Sequence, residues 1–409
     1  MDFEREHPVD MGAGDLASMP ADLSILVHDT IDVIEARWHA LETRATNSLH
    51  HTVEWCRDWI AAYKRPYVIV EGRQGDETAF ILPLEIVKGR LFTKAQFIGS
   101  DHANLNTGIY SERFMREATP EMMAAIVADI RGKIHGADCI VLANMPAVWR
   151  DEKLPFGMLP GVENQNHAFA LTIKDTFVAT LAQLNAKRRR KKYSVSHRRL
   201  EAFGSYGHRV ASTAEEKQRI LDHFYAQKGA RLAEFGLPNT FACPKTRKFF
   251  HSIAQEPQGE DHFSLRLHYI QMTSGEFEGE IPAVAGLSRK GDHIIVQFCS
   301  IGDGPMLHAS PGELLFHLMI ERYNEENVAL FDFGIGDMGF KRAWCNVETI
   351  QNNVTIPLTS LGHLAALKEE ASTRLKATIK QNPAVYAFLQ RIRARNLAQA
   401  QTDGEGDND

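Results

Sequence analysis

The stretch His308 to Gly334, HASPGELLFHLMIERYNEENVALFDFG, reads as a strand end, a loop, a helix and a buried strand in one compact unit. Ser310 suits the N-cap, Pro311 the first helical position, and Glu313 completes an S-x-x-E capping box. These signals predict a helix from Pro311 to Asn324, followed by an apolar strand, ALFDF, from Ala329 to Phe333. The turn Ser310, Pro311, Gly312, Glu313 and Leu314 also offers backbone N–H groups to an anion such as a cofactor pyrophosphate. Gly312 permits close approach, whereas the Glu313 carboxylate repels phosphate.

Working outward, FDFGIGDMGFKRAW (Phe331 to Trp344) sets Asp332 at a strand end, then glycines, Asp337, and the cationic pair Lys341 and Arg342. Glycines let a backbone turn sharply beside a ligand, and Asp332, Asp337 and Lys341 could orient a nucleophile or shuttle a proton. A loop closed by a structural ion pair is the competing reading. His308 is a candidate acid or base, set against a packing or surface role. Upstream, NAKRRRKKYSVSHRRLEAFG (Asn185 to Gly204) gathers Lys187, Arg188, Arg189, Arg190, Lys191, Lys192, Arg198 and Arg199 on a predicted helix. Such density, Arg188 and Arg189 included, could hold phosphates of a cofactor, an acyl carrier, a nucleotide-linked sugar or RNA; a solvated helix face explains it equally. Only Tyr193 and Phe203 interleave, which disfavours single-stranded nucleic acid.

The surrounding pattern divides into two α/β halves. Residues 1–20 read as a flexible leader and 401–409 as a disordered acidic tail. The first half, 21–165, carries helical spacing at Thr30 to Ala45 and Val53 to Tyr63, three strand-like runs, a helix from Pro120 to His135 and a buried strand from Asp138 to Asn144. The second, 166–360, repeats a related order: AFALTI, helices at Phe177–Phe203, Ala214–Phe235 and Lys245–Gln255, three strands, then the helix and strand described above. A last helix within 361–400 is expected to pack through Leu364, Leu367, Leu375 and Ile379.

A chain of 409 residues exceeds what one core usually fills, so two domains are expected. The net charge of -6 gives no global attraction to DNA or anionic membrane. Five cysteines without CxxC spacing read as free, mostly buried thiols in a reducing compartment. With no secretory signal and no apolar run near ~20 residues, a cytoplasmic location without a transmembrane segment is expected. No metal-ligand spacing, G-x-S-x-G elbow, Walker loop or dinucleotide fingerprint is found, which argues against a catalytic metal, hydrolases, NTPases and Rossmann oxidoreductases.

On these motifs the chain resembles the GNAT-type acyltransferases called CelD-like, associated with cellulose and exopolysaccharide biosynthesis and related to FemAB-type double-GNAT transferases. The resemblance runs from Leu23 to Leu358, through the Trp38-Leu41 and Trp55-Trp59 helices, ILPLEIV, RRLEAFG, PGELL and most specifically FDFGIGDMGFKRAW. Phe340 departs from the family pattern, where tyrosine is common. The resemblance implies a mixed α/β fold of two tandem GNAT-like domains and a C-terminal helix. It further implies transfer of an acyl group, most simply acetyl from acetyl-CoA, to an amine or hydroxyl of a sugar or other metabolite. Asp332, Asp337, Lys341 and His308 would then serve catalysis, with Ser310 to Leu314 and Arg188 and Arg189 at the acyl-CoA or an acyl carrier protein. An aminoacyl-tRNA-dependent transferase and a non-catalytic GNAT-fold binding protein are the alternatives.

Overall fold

Runs of strand-forming residues cut by turn signals build two mixed sheets in the computed structural model, which describes residues 20, 22–44 and 46–381. The expected leader, the acidic tail and the end of the final helix lie outside the described residues. In chain order the strands of the first half are β1 (Leu23–His28), β2 (Tyr67–Gln74), β3 (Glu77–Lys88), β4 (Thr93–Phe97), β5 (Ile109–Tyr110) and β6 (Cys139–Met145). A small ribbon, β7 (Val148–Trp149) with β8 (Glu152–Lys153), and β9 (Val162–Glu163) follow. Then come β10 (Ala168–Thr172), β11 (Tyr206–Val210), β12 (His262–Met272), β13 (Ala283–Lys290), β14 (His293–Ile301), β15 (Leu330–Ile335), β16 (Val347–Thr349) and β17 (Asn352–Pro357). The β2–β3 and β13–β14 hairpins turn through Gly75-Asp76 and Gly291-Asp292, with the glycines at φ 62° and 58°, as two-residue loops require.

The first sheet runs β1-β2-β3-β4-β6-β17-β9 with β5 on β3, and the second runs β11-β12-β13-β14-β15-β10-β16. Within each, the antiparallel order is broken by one parallel pair, β4 with β6 and β14 with β15. A parallel pair needs a crossover, supplied by α3 (Glu112–Glu117) and α4 (Pro120–Lys133) in the first sheet and by α9 (Pro311–Asn324) in the second. The shared order identifies the halves as two versions of one α/β unit. β17 comes from the end of the chain yet pairs in the first sheet, with Val354 opposite Leu142 and Ile356 opposite Ile140. A division at 165/166 thus leaves β17 with the second half in sequence and with the first in space.

The halves share a core. Trp55 and Trp59 on α2 (Val53–Tyr63), which follows α1 (Glu35–Glu42), both meet the Phe249 ring of α8 (Pro244–Gln255) edge-on at 4.9 Å. Phe224 of α7 (Ala214–Glu234) stacks on Phe298 of β14 at 4.0 Å in the same cluster. The Trp59 indole N–H donates to Glu85 at 3.0 Å, and the Arg65 guanidinium reaches the same carboxylate at 2.9 Å.

Two expectations need correction. The single helix expected from Phe177 to Phe203 is two, α5 (Phe177–Ala182) and α6 (Ala186–Glu201), because Asn185 Oδ1 accepts the Arg188 N–H at 3.1 Å and caps a new start. The last helix, α11 (Ser360–Gln381), leaves Leu364, Leu367 and Leu375 exposed at 63%, 64% and 61%. It docks through buried Ala365 and Thr373, and through Gly362, where an added Cβ would lie 1.8 Å from the Asp138 carbonyl oxygen. All five cysteines are free thiols, with Cys56 and Cys139 buried, Cys299 and Cys345 partly covered, and Cys243 exposed. No described helix is long and apolar enough to cross a membrane.

Because Trp59 fills the space between the halves, Trp59→Ala is expected to cost about 3–5 kcal/mol. Urea denaturation should show it as a lowered midpoint of the transition that reports both sheets; loss of only the first sheet's signal would contradict a shared core.

Candidate functional site

The motif Phe331 to Trp344 forms β15, a glycine turn and α10 (Gly339–Trp344). Asp332 is 1% exposed, and its Oδ1 accepts the Gly334 N–H at 2.6 Å. Gly334 sits at φ 72°, and a Cβ there would lie 2.9 Å from the Asn104 amide nitrogen, so both conformation and space call for glycine. Lys341 reaches back from α10, donating to the carbonyls of Gly334 at 3.0 Å and Ile335 at 2.6 Å. Burial lowers the Lys341 pKa, and the nearby Asp332 carboxylate opposes the shift. Asp332 and Lys341 therefore share one locus. Asp337 does not join them: both its oxygens are taken by the Arg342 guanidinium, at 2.6 Å each, on the outer side of the turn.

Opposite Asp332 stand residues the sequence did not single out. His293 Nε2 lies 3.5 Å from Asp332 Oδ2, and the Trp149 ring sits 5.3 Å from the His293 ring. His50 crosses from the first half: one ring nitrogen is 2.9 Å from the Leu105 carbonyl oxygen and the other 3.1 Å from the Gln297 amide. Asn104 donates to the Val296 carbonyl at 3.3 Å. With 18 histidines and 243 positions between His50 and His293, no spacing could have joined this group; polar residues opening the apolar run HIIVQF were the available signal.

The last parallel pair of β14 and β15 is Ile295 with Asp332, after which the strands part. β14 continues to Ile301 and passes through residues 302–310 into α9. The expected capping box is absent. Ser310 is left-handed, φ 55° and ψ 55°, rather than extended as an N-cap is, and makes no side-chain cap, while the Glu313 carboxylate points away to Arg189, Nη1 to Oε1 2.5 Å. The Ser310 carbonyl accepts the N–H groups of Glu313 and Leu314 at 3.1 and 3.3 Å, which leaves the turn fewer free donors than a bare helix start. Gly312 packs so closely that a Cβ would lie 2.8 Å from Ile301 Cγ2. His308 is exposed, and its carbonyl, not its ring, accepts from Arg199 at 3.1 Å. A cavity of about 300 Å³ opens beside this loop, lined by Gln227, Arg231, Ile301, Asp303 and Leu307.

α6 packs along α9 and the loop before it. Arg189 alone of its cations turns inward, its guanidinium 5.0 Å over the Trp344 ring. Lys187, Arg188, Arg190, Lys191, Lys192, Arg198 and Arg199 remain exposed.

Residues 187–342 match the acetyltransferase (GNAT) domain model. No curated protein matches the chain. Among solved structures, the chain is similar to FemX at 11% identity, covering 82% of this chain and 96% of that one with a TM-score of 0.53. It is also similar to a conserved protein of unknown function from Bacteroides thetaiotaomicron VPI-5482, at 9% identity, 81% and 100% coverage and a TM-score of 0.51. A tandem GNAT protein from the clavulanic acid biosynthesis pathway aligns at 10% identity over 82% of this chain and 98% of its own, with a TM-score of 0.45. Residues 187–342 of the second half thus match a GNAT-type acetyltransferase domain, and the chain as a whole has a mixed α/β fold similar to that of FemX.

Burial holds His50 near pKa 4, down from its ordinary 6.5. Below pH 6.5 the unfolded chain takes up a proton that the folded chain refuses, so stability is full above 6.5 and falls as pH drops toward 4. His50 by itself is expected to remove about 2 kcal/mol between pH 7 and pH 5. Chemical denaturation across that range should show the fall, and His50→Gln should reduce it by about that amount, the rest coming from His51, His102, His208, His268 and His317, which burial also lowers; an unchanged slope in the variant would assign the acid sensitivity to those alone.

Proposed function

We propose that the protein transfers an acyl group, most simply acetyl from acetyl-CoA, to an amine or hydroxyl of a sugar or other small metabolite. The observation that carries this reading is the parting of β14 from β15 beyond Ile295 and Asp332, next to a glycine-bearing loop and helix start within the GNAT-matched residues. The residues present suit an acyl-CoA. Gly312 brings α9 against the end of β14, and exposed Arg199 on α6 reaches the His308 carbonyl, so phosphates beside residues 302–310 would meet a cation. When bound, the thioester supplies the activated acyl carbon. The acceptor nitrogen or oxygen forms its bond to that carbon while the C–S bond breaks, and the acceptor proton must pass to a base.

Asp332 with His293 is the best-supported base, since the two face each other at 3.5 Å and Asp332 stands in the last β14–β15 pair before the sheet parts. Lys341 supports the turn that presents them, through its bonds to the Gly334 and Ile335 carbonyls. Asp337 has less support as a base because Arg342 occupies both its oxygens. His308 has no bond from its ring to Asp332, Asp337 or Lys341 among the described residues, and is kept as a candidate on the exposed loop only. A role in polysaccharide assembly rests on the CelD-like resemblance alone, a cytoplasmic location on the sequence pattern, and an acyl carrier protein as donor on the cations of α6.

A second reading, transfer from an aminoacyl-tRNA, is favoured by one observation: seven exposed cations on α6 exceed what one pyrophosphate needs. Calorimetric titration with acetyl-CoA, longer acyl-CoAs and free CoA separates the readings. Saturable acyl-CoA binding supports the first; its absence, with salt-sensitive binding of RNA, supports the second. With the donor identified, Asp332→Asn is expected to lower kcat by ~10²–10⁴ and leave donor affinity unchanged. Full turnover in Asp332→Asn and in His293→Gln would remove this assignment.

A further inference from the structure

The largest of the cavities described, about 590 Å³, lies on the seam between the halves and shares no lining residue with the cavity beside the 302–310 loop. The first half contributes Glu42 and Glu54, and the second Glu256, Asp261, Ser264 and Lys290. Lys290 is 7% exposed, and its ammonium makes one hydrogen bond, to the Asn47 carbonyl at 2.8 Å. An ammonium has three donors, and no carboxylate lies within ion-pair distance of this one among the described residues. A buried cation is costly, and burial pushes its pKa down to about 8, with the Glu42 carboxylate opposing the shift from beyond ion-pair distance.

The rim has the opposite deficit. Glu42 is already engaged, by His39 at 2.5 Å and by the Val53 N–H at 3.0 Å, and Asp261 meets Arg289 at 3.2 Å. Glu54 meets only His39, at 4.0 Å, and Glu256 has no ion pair among the described residues. Burial and then the charges of Asp58 and Glu54 raise the Glu256 pKa, the signature of carboxylates crowded without a cation. The cavity thus sets a buried ammonium with two donors to spare against Glu256, which has no ion pair among the described residues, and Glu54, held by His39 at 4.0 Å, within the size range of small-molecule sites.

We propose that this cavity binds a small zwitterion of the free amino acid class, its carboxylate on Lys290 and its ammonium between Glu54 and Glu256. Such a ligand supplies both missing counter-charges at once, which neither a simple anion nor a metal cation does. The site is independent of the acyl-transfer reading, since no residue in it contacts CoA or acyl group in that scheme. Lys290 pairs across the β13–β14 hairpin with His293, so an occupant would sit one cross-strand pair from the Asp332 locus.

The test uses the full chain, thermal-shift and calorimetric readouts, and the twenty free amino acids as probes, each paired with its amide and its N-acetyl form. At least one amino acid is expected to bind, with affinity falling on the order of 10-fold or more when either charge of the probe is blocked. Lys290→Met should weaken binding of the free amino acid similarly, as should Glu54→Gln; the latter changes a partly exposed side chain and keeps the test available if Lys290→Met does not fold. The proposal is overturned if no amino acid binds at millimolar concentration, or if the blocked forms bind as well as the free ones. It is also overturned if magnesium, calcium or zinc binds in a Glu54-dependent way and the amino acids do not.

Discussion

The antiparallel ladder between β17 and β6 is the constraint on which the rest of the molecule depends. It returns the chain to the first sheet after the second is complete, while β10 takes the matching place beside β15, so each half is closed by a strand outside the run that builds its meander. Separating the halves would break a ladder as well as the aromatic core. The return also brings Gln351 and Asn353 to the seam. Gln351 donates to the Asn104 carbonyl at 2.9 Å, and Asn353 accepts the Asn144 N–H at 3.2 Å. Asn104 in turn crowds Gly334, so the turn that presents Asp332 is held from the chain that leads into β17.

The seam is built in two parts with different physics. Around Trp55, Trp59, Phe249 and Phe298 it is apolar, and there burial supplies the adhesion. Around His50, His293, Gln297 and Asp332 it is polar and dry, where hydrogen bonds do little more than offset lost hydration. Polar groups held in such a place lose their freedom to rotate. His50 stays neutral, and Lys341 spends two donors on carbonyls of the turn. The aromatic part carries the stability that lets the polar part be fixed in position.

Local signals in the sequence were legible where local physics decides. Trp55, Trp59 and Ile60 at helical spacing mark α2 to its ends, and Pro311 marks the start of α9. The capping box failed for a long-range reason: Arg189, 124 positions upstream, competes for Glu313 and wins, since a charged partner in a buried place outweighs a neutral backbone donor. β17 was missed as a member of the first sheet although Val354, Thr355 and Ile356 are good strand formers, because a strand's sequence does not name its partner. Asp332 and Lys341 were legible as a charged pair on one motif. Their seam neighbours His50 and His293 were not, because only the topology brings them together.

Three stretches that drew notice separately, the basic helix, PGELL and GFKRAW, meet at Arg189. Its guanidinium pairs with Glu313 and lies over Trp344, at 2.5 Å and 5.0 Å. Buried ion pairs add little net stability, but removing one partner strands the other, so the pair fixes register rather than holding the fold. Here it fixes how α6 rotates about its own axis. A basic helix that merely balanced surface charge would need no such anchor, since its cations could point anywhere in water. With Arg189 locked, the seven exposed cations keep a set direction relative to the loop at 302–310, and Arg199 touches that loop directly. That rigidity lowers the ordering cost for a phosphate-bearing group that meets Arg199 at the loop, which supports the proposed docking role of the run.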